Sequence, residues 1–341
     1  MASVTLLNAA ILSSMALVTG VFLVFPPAAH AQADAAAAPT IVSVEKIWDQ
    51  GAHNAFTDLI RFKEKWYCSF REGDGHVGGD GKLRILVSDD GDAWAPAGLL
   101  EEKGIDLRDP KLSITPDERL MVVAGGSVYE GKELLNRRPR VAFSPDGRAW
   151  SAPQAILGDG DWLWRVTWND GRAYGCVYNI FTEGDWSLRL VSSDDGVTFT
   201  DVAALAVPDH PNETTLRFLA PGEMVAFVRR EAGTRHAWIG TSPAPYTEWT
   251  WHETGHAVGG PNFIVLPDGS LWAGARSYPG GAKTVLGRFG VDTYEPVLTL
   301  PSGGDCSYPG LVWHEGLLWV SYYSSHEGKT SIYLAKVRLT P

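Results

Sequence analysis

The amino-acid sequence predicts an all-β protein, a six-bladed β-propeller, from three observations. Six segments share one pattern: an apolar strand, a tight polar turn and a second strand rich in aromatic residues. They recur at intervals of 47 to 54 residues in a chain of 341 residues. Almost no stretch has the periodicity of an amphipathic helix. Repeats of about fifty residues, each long enough for a four-stranded sheet, are typical of a propeller.

Each repeat contains a predicted hairpin in the same place. Turns such as Asn169-Asp170-Gly171 and Pro267-Asp268-Gly269 supply the residues that a tight turn requires, with positive φ or a φ fixed by proline. The apolar positions that we treat as equivalent in the first strands are Leu59, Leu112, Val166, Leu216, Phe263 and Leu311. The repeats therefore predict one propeller domain over residues 41–341.

One more strand precedes the first repeat. Residues 41–48 alternate between apolar and polar side chains, and residues 331–339 form the last predicted strand. We expect the N-terminal strand to join the last blade beside that strand, because closing the ring removes exposed sheet edges.

Residues 1–31 have the features of a signal peptide. An apolar run over residues 9–25 is followed by Pro26-Pro27 and by Ala29-His30-Ala31, which fits a small-x-small cleavage site. An uncleaved anchor is the alternative, since the segment contains no Lys or Arg. Residues 32–40 are predicted to be a disordered lead-in. We therefore expect a secreted or periplasmic protein with no membrane span after the signal is removed.

Composition excludes several classes of function. The chain has 29 Lys plus Arg against 40 Asp plus Glu, a net charge of −11, which argues against a general nucleic-acid binder. Cys68, Cys176 and Cys306 are too few and too scattered for a disulfide framework. No CxxC motif is present. The sequence thus predicts no cofactor and no metal, and it leaves the oligomeric state open.

A second motif repeats with the same period, at residues 87–94, 143–150 and 192–199. The third copy fits the Asp-box pattern S-x-D-x-G-x-T-[WF] in full, whereas the first lacks its leading Ser and the second is one residue shorter. The Asp caps backbone amides, the Gly adopts a left-handed conformation and the aromatic residue packs between sheets. We interpret these turns as structural. Together with the six repeats, they resemble the sialidase (neuraminidase) superfamily of six-bladed Asp-box propellers, over residues 41–339.

Two positions in each blade are predicted to face the propeller axis: the start of the first strand and the end of the second. Arginine is suited to planar, bidentate recognition of a carboxylate, so arginines at these positions are candidate substrate ligands. The alternative is that they form salt bridges with acidic residues between blades. The starting position holds Asp109, Glu213 and Tyr308, with Arg108 and Arg165 beside it; the ending position holds Arg71, Arg229, Arg276, Tyr178 and Tyr323.

The resemblance implies roles for these residues. Glu213 followed by Arg229 is similar to the fourth-blade pattern of sialidases, and Arg276, Tyr308 and Arg71 are similar to other residues of their active sites. It implies that Tyr308 is the nucleophile, that Glu213 takes its proton, and that the three arginines bind a substrate carboxylate. A neutral nucleophile avoids repulsion by an anionic sugar.

The resemblance also implies that the acid/base residue is an Asp on the loop after the first hairpin, which here is the Gly-rich loop over residues 72–81. Asp80 is the first choice, and Asp74 and His76 are the alternatives. Such a loop could also be a flexible connection without a catalytic role.

The sequence departs from the sialidase pattern at one point. Phe56-Thr57-Asp58 stands where sialidases carry Arg-Ile-Pro at the opening of the first blade. One carboxylate-binding arginine is therefore missing unless Arg108 or Arg165 replaces it. We expect a secreted retaining exo-glycosidase acting on a terminal acidic sugar, sialic acid or similar. The alternatives are a glycosidase for a uronic or sulfated sugar, a polysaccharide lyase, and a non-catalytic glycan-binding propeller.

Overall fold

The computed structural model describes residues 38–219 and 222–339. Within these ranges all regular secondary structure is β-strand, and no helix there is long and apolar enough to cross a bilayer. The predicted signal peptide and most of the predicted lead-in lie outside the described residues.

Twenty-four strands form six four-stranded antiparallel sheets. The first strand, β1, covers Thr40–Trp48. Blade one comprises β2 (His53–Phe62), β3 (Lys65–Gly73), β4 (Lys82–Ser88) and β5 (Ala95–Leu100). Blade two comprises β6 (Asp106–Ile114), β7 (Leu120–Glu130), β8 (Glu133–Ser144) and β9 (Gln154–Ala155). Blade three comprises β10 (Asp161–Asn169), β11 (Arg172–Asn179), β12 (Ser187–Ser193) and β13 (Thr200–Ala204).

The second half of the chain repeats this arrangement. Blade four comprises β14 (Pro211–Leu219), β15 (Glu223–Arg230), β16 (His236–Pro243) and β17 (Thr250–Ala257). Blade five comprises β18 (Gly259–Val265), β19 (Leu271–Ser277), β20 (Lys283–Phe289) and β21 (Tyr294–Thr299). Blade six contains β22 (Cys306–His314), β23 (Leu317–Ser324) and β24 (Ser331–Arg338).

The ring is closed by the two ends of the propeller. Strand β1 pairs antiparallel with β24, in a register that places Thr40 opposite Arg338 and Trp48 opposite Ile332. Blade six therefore has the order β1-β24-β23-β22, and its inner strand β22 contacts β2 of blade one. The predicted six-bladed propeller and its closure by the N-terminal strand are confirmed.

The hydrophobic core lies between neighbouring sheets. One cluster, which includes Leu83 and Leu112, joins blades one and two, and another, which includes Phe227 and Phe263, joins blades four and five. Burial of apolar surface stabilises a protein by roughly 25 cal/mol per Å². This packing fixes each blade against the next, and so it fixes the positions of the inner strands around the axis.

The three repeated turns have one hydrogen-bonding pattern. In blade one the Ser88 hydroxyl accepts the Gly91 amide at 2.8 Å, and Asp90 Oδ1 accepts the amides of Asp92 and Ala93 at 2.9 and 3.0 Å. Ser144 with Asp146 and Ser193 with Asp195 repeat these contacts in blades two and three. The alignment in which the first copy lacks its Ser and the second is shorter is therefore wrong. The three turns are equivalent and begin at Ser88, Ser144 and Ser193.

The glycines of these turns join each blade to the one before it. Gly91 and Gly147 have φ of 83° and 76°, a region that other residues rarely adopt. A Cβ on Gly91 would lie 2.4 Å from Trp319 of blade six, and one on Gly147 would lie 2.3 Å from Tyr67 of blade one. Only glycine allows these turns to pack so closely, which supports the structural interpretation.

Candidate active site

Each of the six inner strands contains a β-bulge at the same level. The register shifts lie between Ala55/Asp58, Arg108/Lys111, Leu163/Val166, Pro211/Thr214, Gly259/Asn262 and Ser307/Gly310. Phe56, Asp109 and Tyr308 lie within them and have φ of 65°, 50° and 55°, a conformation that is strained for non-glycine residues. Because a bulge changes the direction of a side chain, these six bulges explain why equivalent residues of different blades meet at the axis.

Tyr308, Glu213 and Arg229 form a hydrogen-bonded group that joins blades four and six. The Tyr308 hydroxyl donates to Glu213 Oε1 at 2.6 Å. Arg229 Nη1 donates to Glu213 Oε2 at 2.7 Å and to the Tyr308 hydroxyl at 2.9 Å. The guanidinium also pairs with Glu231. The predicted nucleophile, its predicted base and one predicted arginine are thus in direct contact.

Blade five contributes a glycine to this group. The Gly260 amide donates to Glu213 Oε2 at 2.7 Å. Gly260 has φ of 58°, and a Cβ there would lie 2.5 Å from Cγ of Tyr308. The bulge of blade five therefore has to be glycine for the Tyr308 ring to occupy its place. Sequence analysis missed this residue, although Gly260 stands 48 residues before Tyr308, at the interval of the repeat.

Arg276 lies on the other side of the Tyr308 ring. Its Cζ atom is 5.2 Å from the centre of that ring. Its Nε donates to the Cys306 carbonyl at 2.8 Å and its Nη2 donates to the Tyr323 hydroxyl at 2.7 Å. No hydrogen bond to a described residue uses Nη1. Arg276 therefore brings a positive charge beside Tyr308 and retains a free donor. We call Tyr308, Glu213, Arg229, Arg276 and Asp109 the axial site.

The electrostatics of the pair favour a neutral tyrosine beside an ionised glutamate. Burial and the Glu213 charge raise the pKa of Tyr308 well above 10.0. Burial alone would raise the pKa of Glu213 as well. The charge of Arg229, with hydrogen bonds from Tyr308, Arg229 and Gly260, outweighs burial and holds that pKa below 4.5. Glu213 is therefore ready to accept the proton that Tyr308 donates to it.

Asp109, at the bulge of blade two, is a second buried carboxyl of this site. Only 7% of its surface is exposed, and its nearest ion-pair contact is with Arg108 Nε at 3.8 Å. Burial raises the pKa of Asp109 above 3.8, although Arg108 and Lys111 oppose this, and the Glu213 charge adds to the rise. A carboxyl whose pKa is raised by burial keeps its proton to higher pH, which is a property that a general acid requires.

The bulge of blade one presents an aromatic ring in place of an arginine. The Phe56 ring lies edge-on to Tyr308 and Tyr323, with centroids 5.1 and 5.4 Å away. Arg108 does not occupy the missing position directly. Its guanidinium lies over Phe56 at 5.0 Å and donates to the His76 carbonyl at 3.0 Å. The side of Tyr308 that faces blade one therefore contacts the apolar ring of Phe56, and the Arg108 guanidinium lies over that ring.

Two of the predicted substrate arginines are committed to buried ion pairs. Arg71 is 0% exposed and donates to both Asp106 oxygens, at 2.6 and 3.0 Å. Arg165 binds both Asp58 oxygens in the same way, at 2.8 and 3.0 Å. The guanidinium N–H groups that would bind a substrate carboxylate already donate to Asp106 and Asp58. We correct the expectation that Arg71 and Arg165 bind substrate: the alternative, a salt bridge between blades, describes them.

The three acid/base candidates of the Gly-rich loop lie in different places. Asp80 is exposed, and its Oδ2 accepts the Gly104 amide at 2.9 Å; none of its hydrogen bonds leads to the axial site. Asp74 is also exposed. His76 is closer, since its ring lies edge-on to Phe56 at 5.2 Å, and Phe56 contacts Tyr308. Among the described residues Asp80 has no contact with the axial site, and the choice of acid/base residue stays a prediction.

Lys111 is a further cation that the sequence did not single out. Its Nζ donates to the Thr57 carbonyl at 3.1 Å, and it lies 4.8 Å from the Trp164 ring and 5.8 Å from the Tyr308 ring. Burial lowers the pKa of Lys111 to about 8. Its position two residues after Asp109 is the only sequence signal that could have identified it.

Comparison with known proteins yields structural similarity alone. No family model matches the sequence, and no curated protein matches it. A Dyadobacter fermentans protein of unknown function superposes with a TM-score of 0.79 at 20% identity, over 89% of this chain and 99% of that one.

Two similar structures are enzymes. Trypanosoma rangeli sialidase has a TM-score of 0.68 at 10% identity, over 84% of this chain and 55% of the sialidase chain. This chain thus spans about half of that protein. Penicillium chrysogenum α-L-arabinanase, solved with arabinobiose, has a TM-score of 0.67 at 13% identity, over 88% and 99% of the two chains. At these identities the likeness establishes the propeller fold.

Proposed function

We propose that the protein is a retaining exo-glycosidase that removes a terminal acidic sugar from a glycan. The observation that carries the proposal is the hydrogen bond of 2.6 Å from the Tyr308 hydroxyl to the Glu213 carboxylate, with Arg229 bound to both. A phenol becomes nucleophilic when a base takes its proton during attack. The similarity to sialidase and arabinanase propellers supports a glycosidase without defining the sugar.

In the first step the Tyr308 oxygen attacks the anomeric carbon while Glu213 Oε1 takes the phenolic proton. The glycosidic C–O bond breaks, and Asp109 gives its proton to the leaving oxygen. In the second step water attacks the anomeric carbon and the bond to Tyr308 breaks. Asp109 takes a proton from the water, and Glu213 returns the phenolic proton to Tyr308. Each group ends as it began.

Arg276 is the proposed ligand of the sugar carboxylate. Its Nη1 has no partner among the described residues, and its guanidinium lies beside the nucleophile. Arg229 adds positive charge, but its guanidinium already forms ion pairs with Glu213 and Glu231. Phe56 supplies an apolar wall where sialidases have an arginine, so a uronic or other singly charged sugar fits this proposal as well as sialic acid does.

The test compares Tyr308→Phe and Glu213→Gln with Tyr246→Phe, a buried tyrosine outside the axial site, on aryl glycosides of acidic sugars. We expect the first two variants to lose turnover by a factor of about 10² or more with binding retained, because each removes a group used in covalent catalysis. Tyr246→Phe should behave as wild type. A fluorinated substrate analogue should label Tyr308, as detected by peptide mass spectrometry. Wild-type turnover in Tyr308→Phe would refute the mechanism.

The same assay separates the alternatives. A polysaccharide lyase would produce new ultraviolet absorbance from a double bond when given uronate polymers. A glycan-binding propeller would bind without releasing reducing ends. We also propose that the protein is exported, on the basis of residues 1–31. Amino-terminal sequencing of the exported protein should begin at Gln32; retention of residues 1–31 would contradict cleavage.

A further inference from the structure

Two histidines and a carboxylate meet at the edge of the axial site. His53 starts β2, His76 lies on the loop between β3 and β4, and Asp305 directly precedes β22. His53 Nε2 is 2.9 Å and His76 Nδ1 is 2.7 Å from Asp305 Oδ2, and the three donor atoms all lie within 4.8 Å of one another. No other such group of three occurs in residues 38–219 and 222–339.

The loop that carries His76 and the carboxylate of Asp305 are held in place by further contacts. The His76 carbonyl accepts a hydrogen bond from Arg108 at 3.0 Å, and Arg71 binds the carbonyls of Gly75 and Gly78 on the same loop. Asp305 Oδ1 accepts the Tyr323 hydroxyl at 2.9 Å. His53 is 8% exposed. Such outer contacts are what orient the ligands of a metal site.

The position of the cluster also leaves room for a further ligand. The side chain of His76 is 49% exposed, so the cluster is open to solvent on one side. On the other side the His76 ring packs on Phe56, which contacts Tyr308. Three protein ligands with an open position are typical of zinc sites that bind water or substrate, whereas structural zinc sites have four.

We propose that His53, His76 and Asp305 bind one divalent transition-metal ion of the zinc type, with an open position that accepts an oxygen of the glycan next to the axial site. Two imidazoles and one carboxylate favour Zn²⁺, Co²⁺ or Ni²⁺ over Mg²⁺ and Ca²⁺, which prefer oxygen ligands. Binding of the ion replaces the hydrogen bonds that His53 Nε2 and His76 Nδ1 form with Asp305 Oδ2. Metal binding by these three residues does not depend on the glycosidase assignment, whereas the glycan as further ligand rests on the proposed function.

The test measures metal binding by the full chain, without any assay of activity. After chelation and desalting, the protein is titrated with Zn²⁺, and the Co²⁺ form is examined by absorption spectroscopy. We expect one ion per chain and a Co²⁺ spectrum unlike that of the aqueous ion. His76→Ala and Asp305→Asn should weaken Zn²⁺ binding by at least about tenfold. His76 is on an exposed loop, so its variant should fold even if a His53 variant does not.

One exposed and one half-buried histidine serve as controls. His252→Ala removes a histidine of β17, and His210→Ala removes one that has a carboxylate, Asp185, at 3.8 Å. Both should bind Zn²⁺ as wild type does. Equal Zn²⁺ affinity in His76→Ala, Asp305→Asn and these controls would overturn the proposal, as would a preference for Mg²⁺ or Ca²⁺.

Discussion

Arg71 of blade one and Arg276 of blade five occupy equivalent positions. Their neighbours in the next blades, Asp106 of blade two and Asp305 of blade six, are equivalent too, since each lies three residues before the bulge residue of its inner strand. Arg71 and Asp106 form a fully buried bidentate pair. Arg276 Nη2 instead lies 3.6 Å from Asp305, because His53, His76 and Tyr323 bind that carboxylate. Equivalent arginines can thus form either a fully buried ion pair or a guanidinium with a free donor, and the neighbours of the carboxylate decide which.

The largest expected effect breaks the structural pair. Arg71→Met leaves Asp106 buried without its main counter-charge, so we expect the free energy of unfolding to fall by about 3–5 kcal/mol. Urea denaturation measures this. The double variant Arg71→Met with Asp106→Leu should recover most of the loss, since no buried charge remains. A single variant as stable as wild type would mean that Arg108, whose Nη1 is 3.5 Å from Asp106, suffices as partner.

The next largest expected effect concerns Arg276, the proposed ligand of the sugar carboxylate. Arg276→Lys keeps the charge but loses the planar fork, so we expect kcat/KM on an acidic substrate to fall almost as far as in Arg276→Ala, by about 2–4 kcal/mol in transition-state free energy. Unfolding curves should change far less than those of Arg71→Met. Equal rates of the wild type on a substrate and on its carboxylate-free analogue would show that Arg276 is structural too.

The smallest expected effect concerns the buried side chain of Lys111, which donates its hydrogen bond to a backbone carbonyl rather than to a carboxylate. The pKa of Lys111 is about 8 when folded and 10.5 in its ordinary state, so the unfolded chain binds more protons between these values. Its contribution to stability therefore rises as pH increases through that range. The free energy of unfolding of wild type, relative to Lys111→Met, should increase by about 1–3 kcal/mol from pH 8 to 10.5. A difference independent of pH would place the lysine pKa near its ordinary value.

The sequence predicts the six blades, their closure and the meeting of Glu213, Tyr308 and Arg229, because all of these follow from a repeat that is visible along the chain. It does not distinguish Arg71 from Arg276, since the repeat gives the ring position but not the acid supplied by the next blade. Asp80 is the first choice for the acid/base residue because the resemblance implies an Asp on the loop after the first hairpin. The bulge at Asp109 and the contact between Asp80 and Gly104 are long-range features that the repeat does not predict.

The closure of blade six has a consequence for biosynthesis. Strand β1 is made early, but its partner β24 leaves the ribosome almost three hundred residues later, since Thr40 pairs with Arg338. Pairings of such large sequence separation form slowly, and until then both strands present open edges that invite association with other chains. Tyr308 belongs to this last segment, so its hydrogen bond to Glu213 can form only in the final step of the protein's maturation.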